Sequence, residues 1–410
     1  MSDFPLQAAT QLTNVPSMIY QTILSASLFL LIVFAVEHLC RRGGVPSVIV
    51  LVACGLVAQP VLDSFDWQIP WTGELVSTVG TIGLVLIVLE GALDIELRRE
   101  RLRLIGTTLV MACAGFTVCV LVFAAVAWQA LEISPFQALL LATPLAVISS
   151  AVAIPSSSFL PDKQREFVVY ESSMSDIIGV LVFFSLLGSD GSFSGALINL
   201  VGGGVLSLLL SALCAIILLL VLLRLDGHIR YMPLLAGLFA LYAVGKLLHL
   251  SPLIMVLFLG LLLNKPGLVT RFPPFRRWVD AEYEATLSEF KSLVVELTFV
   301  VRGFFFVLLG YWTDLSDLAS PWAWLWAALV VMVVYASRFA LLGLLLGTAS
   351  ARLLGWIAPR GLITVLLFLQ ARESFALPGY FSGAVMLVVL ISSTMILAAR
   401  FTTGGKPLPT

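Results

Sequence analysis

The feature that most constrains this chain is a succession of apolar segments, each about 20 residues long and almost free of charged side chains. A helix of that length crosses the hydrocarbon core of a bilayer. Only 11% of the 410 residues are charged, 60% are hydrophobic, and the mean hydropathy is +1.06. Because backbone polar groups in lipid must be hydrogen-bonded internally, we predict an all-α polytopic membrane protein.

The apolar runs between turn and charge signals predict about thirteen transmembrane helices. We place them near 18–40, 45–62, 75–94, 104–130, 136–159, 166–188, 195–223, 231–249, 251–264, 292–312, 321–347, 353–371 and 378–400. Residues 270–291 are amphipathic, which predicts an interfacial helix that leads into the tenth span.

Basic residues concentrate in alternate loops, which sets the predicted orientation because Lys and Arg are retained on the cytoplasmic side. These loops contain Arg41 and Arg42, the cluster from Arg98 to Arg103, Lys163 and Arg165, Arg224 and Arg230, the stretch from Lys265 to Lys291, Arg352, and Arg400 with Lys406. The opposite loops contain almost no basic residues. We therefore expect the N-terminus outside, the C-terminus in the cytoplasm, and insertion in the bacterial inner (plasma) membrane.

The predicted spans divide into two groups of about six around a single helix, which suggests two inverted repeats. The first repeat takes residues 1–188, a linker helix 189–230, the second repeat 231–402, and a short cytoplasmic tail 403–410. Span 5 contains Thr143–Pro144, and span 12 contains Pro359–Arg360–Gly361. Interrupted helices at matching positions in two halves point to a transporter's binding site. We predict that spans 5 and 12 are broken helices that cross.

Span 6 contains two acidic side chains, Glu171 and Asp176, in apolar surroundings. Because a charge near the bilayer centre costs at least ~2.5 kcal/mol, such an acid is a candidate transport site or proton relay. The two acids lie roughly 140° apart around the helix, so they cannot face one partner. Ser172 and Asp176 share a face, so a hydroxyl and a carboxylate can contact one cation together. The alternative is a structural ion pair between helices, which we favour for Glu171 but not for Asp176.

Arg302 and Glu296 are the charged residues of span 10. They lie about 240° apart around the helix, so each needs a partner on another helix. We expect a structural role for both.

Several separated motifs resemble those of the monovalent cation:proton antiporter superfamily, the sodium/proton exchanger group. They are ESSMSD at 171–176, VLEGALDIEL at 88–97, HLSPLIMVLFLGLLLN at 249–264, FFFVLLG at 304–310, the YASRFALLG segment around Arg338, and APRGLI in span 12. The resemblance covers nearly the whole chain. It implies a homodimer in which a six-helix core moves against a dimerisation scaffold, with Asp176 alternately binding a cation or protons.

The resemblance also implies a set of site residues. Those around the ion would be Asp176, Ser172, Glu90, Ser175 and the backbone carbonyls near Thr143. Glu171 matches a family acid that pairs with a basic residue, and Arg338 is the best partner. Arg360 would lie at the second crossover and offset the carbonyl-end dipoles, while Pro144 and Pro359 mark the two crossovers.

Two positions depart from the family pattern. Ser175 stands where the family usually has Asn or Asp before the catalytic Asp, and Ala142–Thr143–Pro144 stands where the family usually has T-D-P. The site therefore has one acid and one amide fewer than the pattern.

Burial disfavours the ionised form of a carboxylate and a nearby cation favours it, so protons and cations compete for Asp176. This competition predicts an antiporter that exchanges a monovalent cation, with Na⁺ slightly favoured over K⁺, for protons in pH homeostasis. A single exchanging carboxylate, with Glu171 neutralised by Arg338, predicts an electroneutral exchange.

Three other classes remain open from the sequence. A channel or uniporter would use Glu90 and Asp176 along a continuous cation path. An organic-anion symporter would use Arg360 to bind the anion. A transport-degenerate sensor is suggested by the two departures.

No nucleotide motif, metal cluster or hydrolytic constellation is present in the sequence, so we expect a secondary transporter and not an enzyme. The five cysteines lack the paired spacing of a disulfide framework or a zinc site. We expect no cofactor, with Na⁺ or K⁺ and H⁺ as substrates, and no nucleic-acid partner. The partners would be these ions, the bilayer and a second copy of the chain, with an unidentified soluble regulator left open.

Overall fold

The structure, a computed structural model, describes residues 4–43, 45–64, 73–94, 102–189, 191–198, 202, 204–224, 231–248, 250, 252–264 and 281–402. All regular secondary structure within these ranges is helical. The helical segments that are long and apolar enough to cross a membrane are Ile23–Cys40, Arg103–Leu131, Pro135–Ser156, Asp162–Leu187, Thr286–Trp312, Pro321–Leu346 and Tyr380–Arg400, of which Pro135–Ser156 is interrupted. Shorter apolar helices lie between them. The chain is therefore an all-α integral membrane protein, as predicted.

The helices are numbered in chain order over the described residues. They are α1 (Phe4–Gly43), α2 (Ser47–Ser64), α3 (Gly73–Asp94), α4 (Leu102–Leu131), α5 (Pro135–Ala146), α6 (Ser150–Ser156), α7 (Asp162–Leu187), α8 (Phe193–Ile198), α9 (Gly204–Arg224), α10 (Tyr231–Leu247), α11 (Pro252–Leu263), α12 (Ala281–Trp312), α13 (Leu315–Ala319), α14 (Pro321–Leu346), α15 (Thr348–Leu354), α16 (Leu362–Ser374) and α17 (Tyr380–Thr402). The count of thirteen spans and the division into two repeats stay predictions.

Two helices differ from the predicted boundaries. Helix α1 begins at Phe4, well before the predicted start at residue 18. Helix α12 runs for 32 residues without a break, so residues 281–291 of the predicted interfacial helix and the tenth span form one continuous helix. The physical reason is that residues 281–302 contain neither Gly nor Pro, so nothing ends the helix. Residues 270–280 and the predicted tail 403–410 lie outside the described residues.

Two of the predicted spans, 5 and 12, contain a stretch of non-helical backbone that joins two short helices. Residues 147–149 separate α5 from α6, and residues 355–361 separate α15 from α16. The Ser149 N–H donates to the Pro359 carbonyl at an N···O distance of 2.9 Å, so the two breaks are in direct contact. Gly361 permits this approach, since a Cβ atom there would lie 2.5 Å from Ser149 Oγ. The predicted crossing of broken helices is therefore present.

The first break does not lie where Pro144 was expected to place it. Pro144 is inside α5, which continues to Ala146, and the Thr143 hydroxyl donates to the Leu139 carbonyl of the same helix at 2.8 Å. Proline removes only one backbone N–H donor, and here the helix continues for two residues beyond it. The helix ends at Ala146, where hydrogen-bond donors from elsewhere in the fold reach its last carbonyls.

Helix α7 lies at the centre of the described structure. It packs against α3, α4 and α11, against both halves of the first broken helix, and against α16 of the second. This position places the middle of α7 beside the crossing.

Candidate functional site

The middle of α7 is a continuous polar stretch inside the protein. Every residue from Tyr170 to Asp176 is buried. Ile177 and Ile178 follow, and Phe167 and Val168 precede the stretch, so apolar turns flank it on both sides. Burial makes a polar side chain without a partner unfavourable, so most of these groups should bond within the protein.

Asp176 has two carboxylate oxygens in different environments. Its Oδ2 accepts a hydrogen bond from the Ser150 N–H, the first residue of α6, at 3.0 Å. Its Oδ1 is buried and has no hydrogen-bond partner among the described residues. The side chain is only 7% exposed. One oxygen is thus held in place by backbone, and the other can accept a proton or coordinate a cation.

The two backbone N–H groups before Ser150 also have partners outside their own helix. Ile148 N–H donates to Ser175 Oγ at 2.9 Å, and Ser149 N–H donates to Pro359. Ser175, predicted as a cation ligand, therefore accepts a hydrogen bond that holds the first break against α7.

Arg360 lies fully buried at the crossing. Its Nε donates to the Leu145 carbonyl at 2.9 Å, and Nη2 donates to Ala146 at 3.3 Å. Nη1 donates to its near neighbour Ala358 at 3.2 Å, and the Arg360 N–H donates to Ser392 Oγ on α17 at 2.9 Å. The guanidinium thus neutralises the carbonyl end of α5, where a positive charge is favourable.

Glu171 and Arg338 form a bidentate ion pair. Nη1 and Nη2 of Arg338 donate to the two carboxylate oxygens of Glu171 at 2.7 and 2.9 Å. Both side chains are buried, and Arg338 Nε donates to the Leu354 carbonyl at the end of α15. Arg338 therefore joins α7, α14 and α15, and the charge of Glu171 is compensated.

Glu90 has a partner that the sequence analysis missed. Arg302 Nη2 on α12 lies 3.1 and 3.3 Å from the two Glu90 oxygens, and each side chain is 17% exposed. The pair lies within electrostatic range of Asp176, but no hydrogen bond joins Glu90 to Asp176 among the described residues. Glu90 and Arg302 are 212 positions apart. The signal in the sequence was limited to an acid in span 3 and a base in span 10, each within an apolar segment.

Ser172 and Thr143 use their hydroxyl protons within their own helices. Ser172 Oγ donates to the Val168 carbonyl at 2.7 Å, as Thr143 Oγ1 does to Leu139. Each oxygen keeps lone pairs that can face a cation. The described residues show no hydrogen bond between Ser172 and Asp176.

Two small cavities lie on different faces of α7. One, of about 20 Å³, is lined by the charged side chains of Glu171, Arg338 and Arg360 among mostly apolar residues. The other, of about 10 Å³, lies between α3, α7 and α11 and is lined by Asp176. A cavity of this size is close to what one water molecule needs. Glu171, with its partner Arg338, and the open carboxylate of Asp176 thus line separate cavities on different faces of α7.

Comparison with known proteins gives a family and a fold. The family model described as sodium/hydrogen exchanger, transmembrane, matches residues 24–403. The structure of the sodium proton antiporter MjNhaP1 from Methanocaldococcus jannaschii at pH 8 is 21% identical, covers 93% of this chain and 99% of its own, and has a TM-score of 0.72. An electron-microscopy map of the same antiporter gives 20% identity, 95% and 99% coverage, and a TM-score of 0.67. No curated protein matches the chain.

Proposed function

Because the chain belongs to the sodium/hydrogen exchanger family, whose members are secondary transporters and not enzymes, we propose that protons and a monovalent cation compete for Asp176. The carboxylate lies at the crossing of two broken helices, with one oxygen held by the Ser150 N–H. The other oxygen has no partner in the described part of the chain. That free, buried oxygen is the observation that carries the proposal.

The mechanism follows from the cost of a buried charge. An ionised and empty Asp176 would cost roughly 2.5–3.5 kcal/mol or more at the bilayer centre. A proton or a cation removes this cost, so the loaded states cross readily and the empty state does not. Exchange results when the site opens to one side at a time and the two ligands compete on each side.

The remaining site residues divide into two groups in this proposal. Ser172 contributes a hydroxyl oxygen to the cation, and backbone carbonyls near Thr143 contribute further oxygens. Ser175 lies beside the ion and accepts the hydrogen bond that holds the first break against α7. Glu90 acts on the cation through its charge, which Arg302 balances.

The supporting residues stabilise the crossing of the two broken helices. Arg360 compensates the carbonyl ends, and the breaks lie near Pro144 and at Pro359. The pair of Glu171 and Arg338 adds no net charge. A single exchanging carboxylate then gives one cation for one proton, with Na⁺ slightly favoured over K⁺.

We further propose a homodimer in the bacterial inner membrane. The N-terminus would lie outside and the C-terminus in the cytoplasm, as the basic loops indicate. A soluble regulator is one further partner class, which co-purification from native membranes would test.

The decisive experiment uses the reconstituted protein. Liposomes with a preset pH gradient and an internal pH dye receive Na⁺, K⁺ or Li⁺ in turn. We expect the wild type to dissipate the gradient only when a cation is added. Asp176→Asn should lose this response, because the amide can neither ionise nor bind a proton in exchange.

Asp162→Asn is the matched control, because it makes the same change at the exposed start of the same helix. It should behave as the wild type. Normal exchange by Asp176→Asn would refute the proposal, and a proton-independent current would indicate a channel instead.

The stoichiometry needs a separate measurement. A potential-sensitive dye in the same liposomes should show no change when Na⁺ starts the exchange. A cation-dependent potential that Asp176→Asn abolishes would refute the exchange of one cation for one proton, while leaving antiport itself in place.

A further inference from the structure

Ser173 is a buried hydroxyl without a role in the site described so far. It lies on α7, three residues before Asp176, so the two side chains project toward the same face of the helix. Its side chain is 0% exposed, and its Oγ has no hydrogen-bond partner among the described residues. Leaving a buried hydroxyl without a partner is unfavourable.

Ser173 and Asp176 line the same cavity. The other lining residues are Ile87, Val88 and Gly91 of α3, Ile177 and Val180 of α7, and Leu253, Ile254 and Leu257 of α11. The lining thus contains two polar side chains, and each has an oxygen without a partner in the described residues. Two oxygens without hydrogen-bond partners, in a small cavity that is otherwise apolar, indicate a site for one small polar or charged ligand.

Ser172, the neighbouring serine, does not line this cavity. Its hydroxyl proton is donated to the Val168 carbonyl at 2.7 Å. The Ser173 hydroxyl has no comparable bond among the described residues, so its oxygen can turn its lone pairs toward a cation without breaking a helix contact.

We propose that Ser173 Oγ is a further side-chain ligand of the transported cation, in addition to those of the proposed function, and that the cation binds between Ser173 and Asp176 at the cavity formed by α3, α7 and α11. The inference rests on the proposed antiport at Asp176 and adds a ligand to that site. An alkali cation prefers hard oxygen ligands, and a hydroxyl oxygen beside a carboxylate supplies one without additional charge.

The test compares residues of equal shape with and without the hydroxyl. In the liposome assay, Ser173→Ala and Ser173→Val should raise the cation concentration at half-maximal exchange by about tenfold, as expected for one lost polar contact. Ser173→Thr should remain closer to the wild type than Ser173→Val. Because Thr and Val have nearly the same shape, overpacking affects both alike and only the hydroxyl distinguishes them.

Ser185→Ala is the matched control on the same helix. Ser185 is also buried, but its hydroxyl donates to the Leu181 carbonyl at 2.7 Å, away from the cavity lining. Its half-maximal cation concentration should not change. A Ser173→Ala value within twofold of the wild type, or equal values for Thr and Val, would overturn the inference.

A binding measurement separates this inference from the proposed function. Na⁺ should raise the thermal unfolding temperature of the wild type in detergent, because a ligand that binds only the folded state stabilises it. The Na⁺ concentration that gives half of this rise should increase in Ser173→Ala and not in Ser185→Ala. If the wild type binds Na⁺ but moves no protons, antiport is refuted, and the half-rise Na⁺ concentration still tests Ser173 as a ligand. If this concentration is equal in Ser173→Ala and the wild type, Ser173 is not a cation ligand, even where antiport holds.

Discussion

Two carboxylates, Glu171 and Asp176, are buried in the described structure, and their surroundings separate their roles. Glu171 accepts two hydrogen bonds from Arg338, so its charge is satisfied in any state that keeps the pair. Asp176 accepts one backbone N–H and has no arginine in hydrogen-bond contact among the described residues. A charge without a fixed counter-charge is the one that a mobile ion can compensate.

The first prediction concerns the pair of Glu171 and Arg338. Arg338→Met leaves the carboxylate buried without its counter-charge, which should cost about 3–5 kcal/mol of stability. The double variant Glu171→Gln with Arg338→Met should recover part of this loss, since no lone charge remains. Thermal unfolding in detergent measures both effects.

Arg352→Met serves as the control, because Arg352 is exposed at the end of α15 and should tolerate the change. If Arg338→Met unfolds at the same temperature as Arg352→Met, the ion pair does not stabilise the fold.

At the scale of helices, the crossing depends on close approach between the two breaks. A Cβ atom at Gly361 would lie 2.5 Å from Ser149 Oγ and 2.8 Å from Val152 Cγ2. These distances are too short for real contacts, so even a methyl group requires Ser149 and Val152 at the first break to shift.

The second prediction is that Gly361→Ala destabilises the protein by about 1–3 kcal/mol, the usual cost of overpacking. It should also lower the exchange rate, because Ser149 immediately precedes the N–H that holds Asp176. Gly343→Ala is the control, since a Cβ atom there meets nothing within 4 Å. Equal unfolding temperatures and rates for the two variants would contradict this account of the crossing.

The sequence was sufficient to predict the apolar helices and the acids of α7, because periodicity, composition and a local motif are readable along the chain. It misplaced the first break, because the end of α5 depends on Arg360, which is 215 positions from Leu145. The partner of Glu90 was missed for the same reason. Hydrogen bonds between distant segments leave no local pattern.

At the scale of the whole molecule, the distribution of basic residues sets the expected orientation. Lys163 lies in a predicted cytoplasmic loop, and Glu373 lies in a predicted external one; both are exposed. Lys and Arg are retained inside because their translocation is unfavourable.

The third prediction uses single cysteines in a background without the native Cys40, Cys54, Cys113, Cys119 and Cys214. An impermeant maleimide should label Glu373→Cys from outside intact cells and Lys163→Cys only in inverted vesicles. The reversed pattern would invert the orientation, and labelling of both from one side would rule out the predicted arrangement of the spans between them.

The hydrogen bonds of the segment that joins α5 to α6 determine how fast its amide protons exchange with solvent. The amides of Ile148, Ser149 and Ser150 lie at a helix break, where fast exchange with deuterium is the usual expectation. Each of them donates to a different partner, namely Ser175, Pro359 and Asp176. Their protons should therefore be among the slowest to be replaced in D₂O, because their release requires the first interrupted helix to separate both from α7 and from the second interrupted helix.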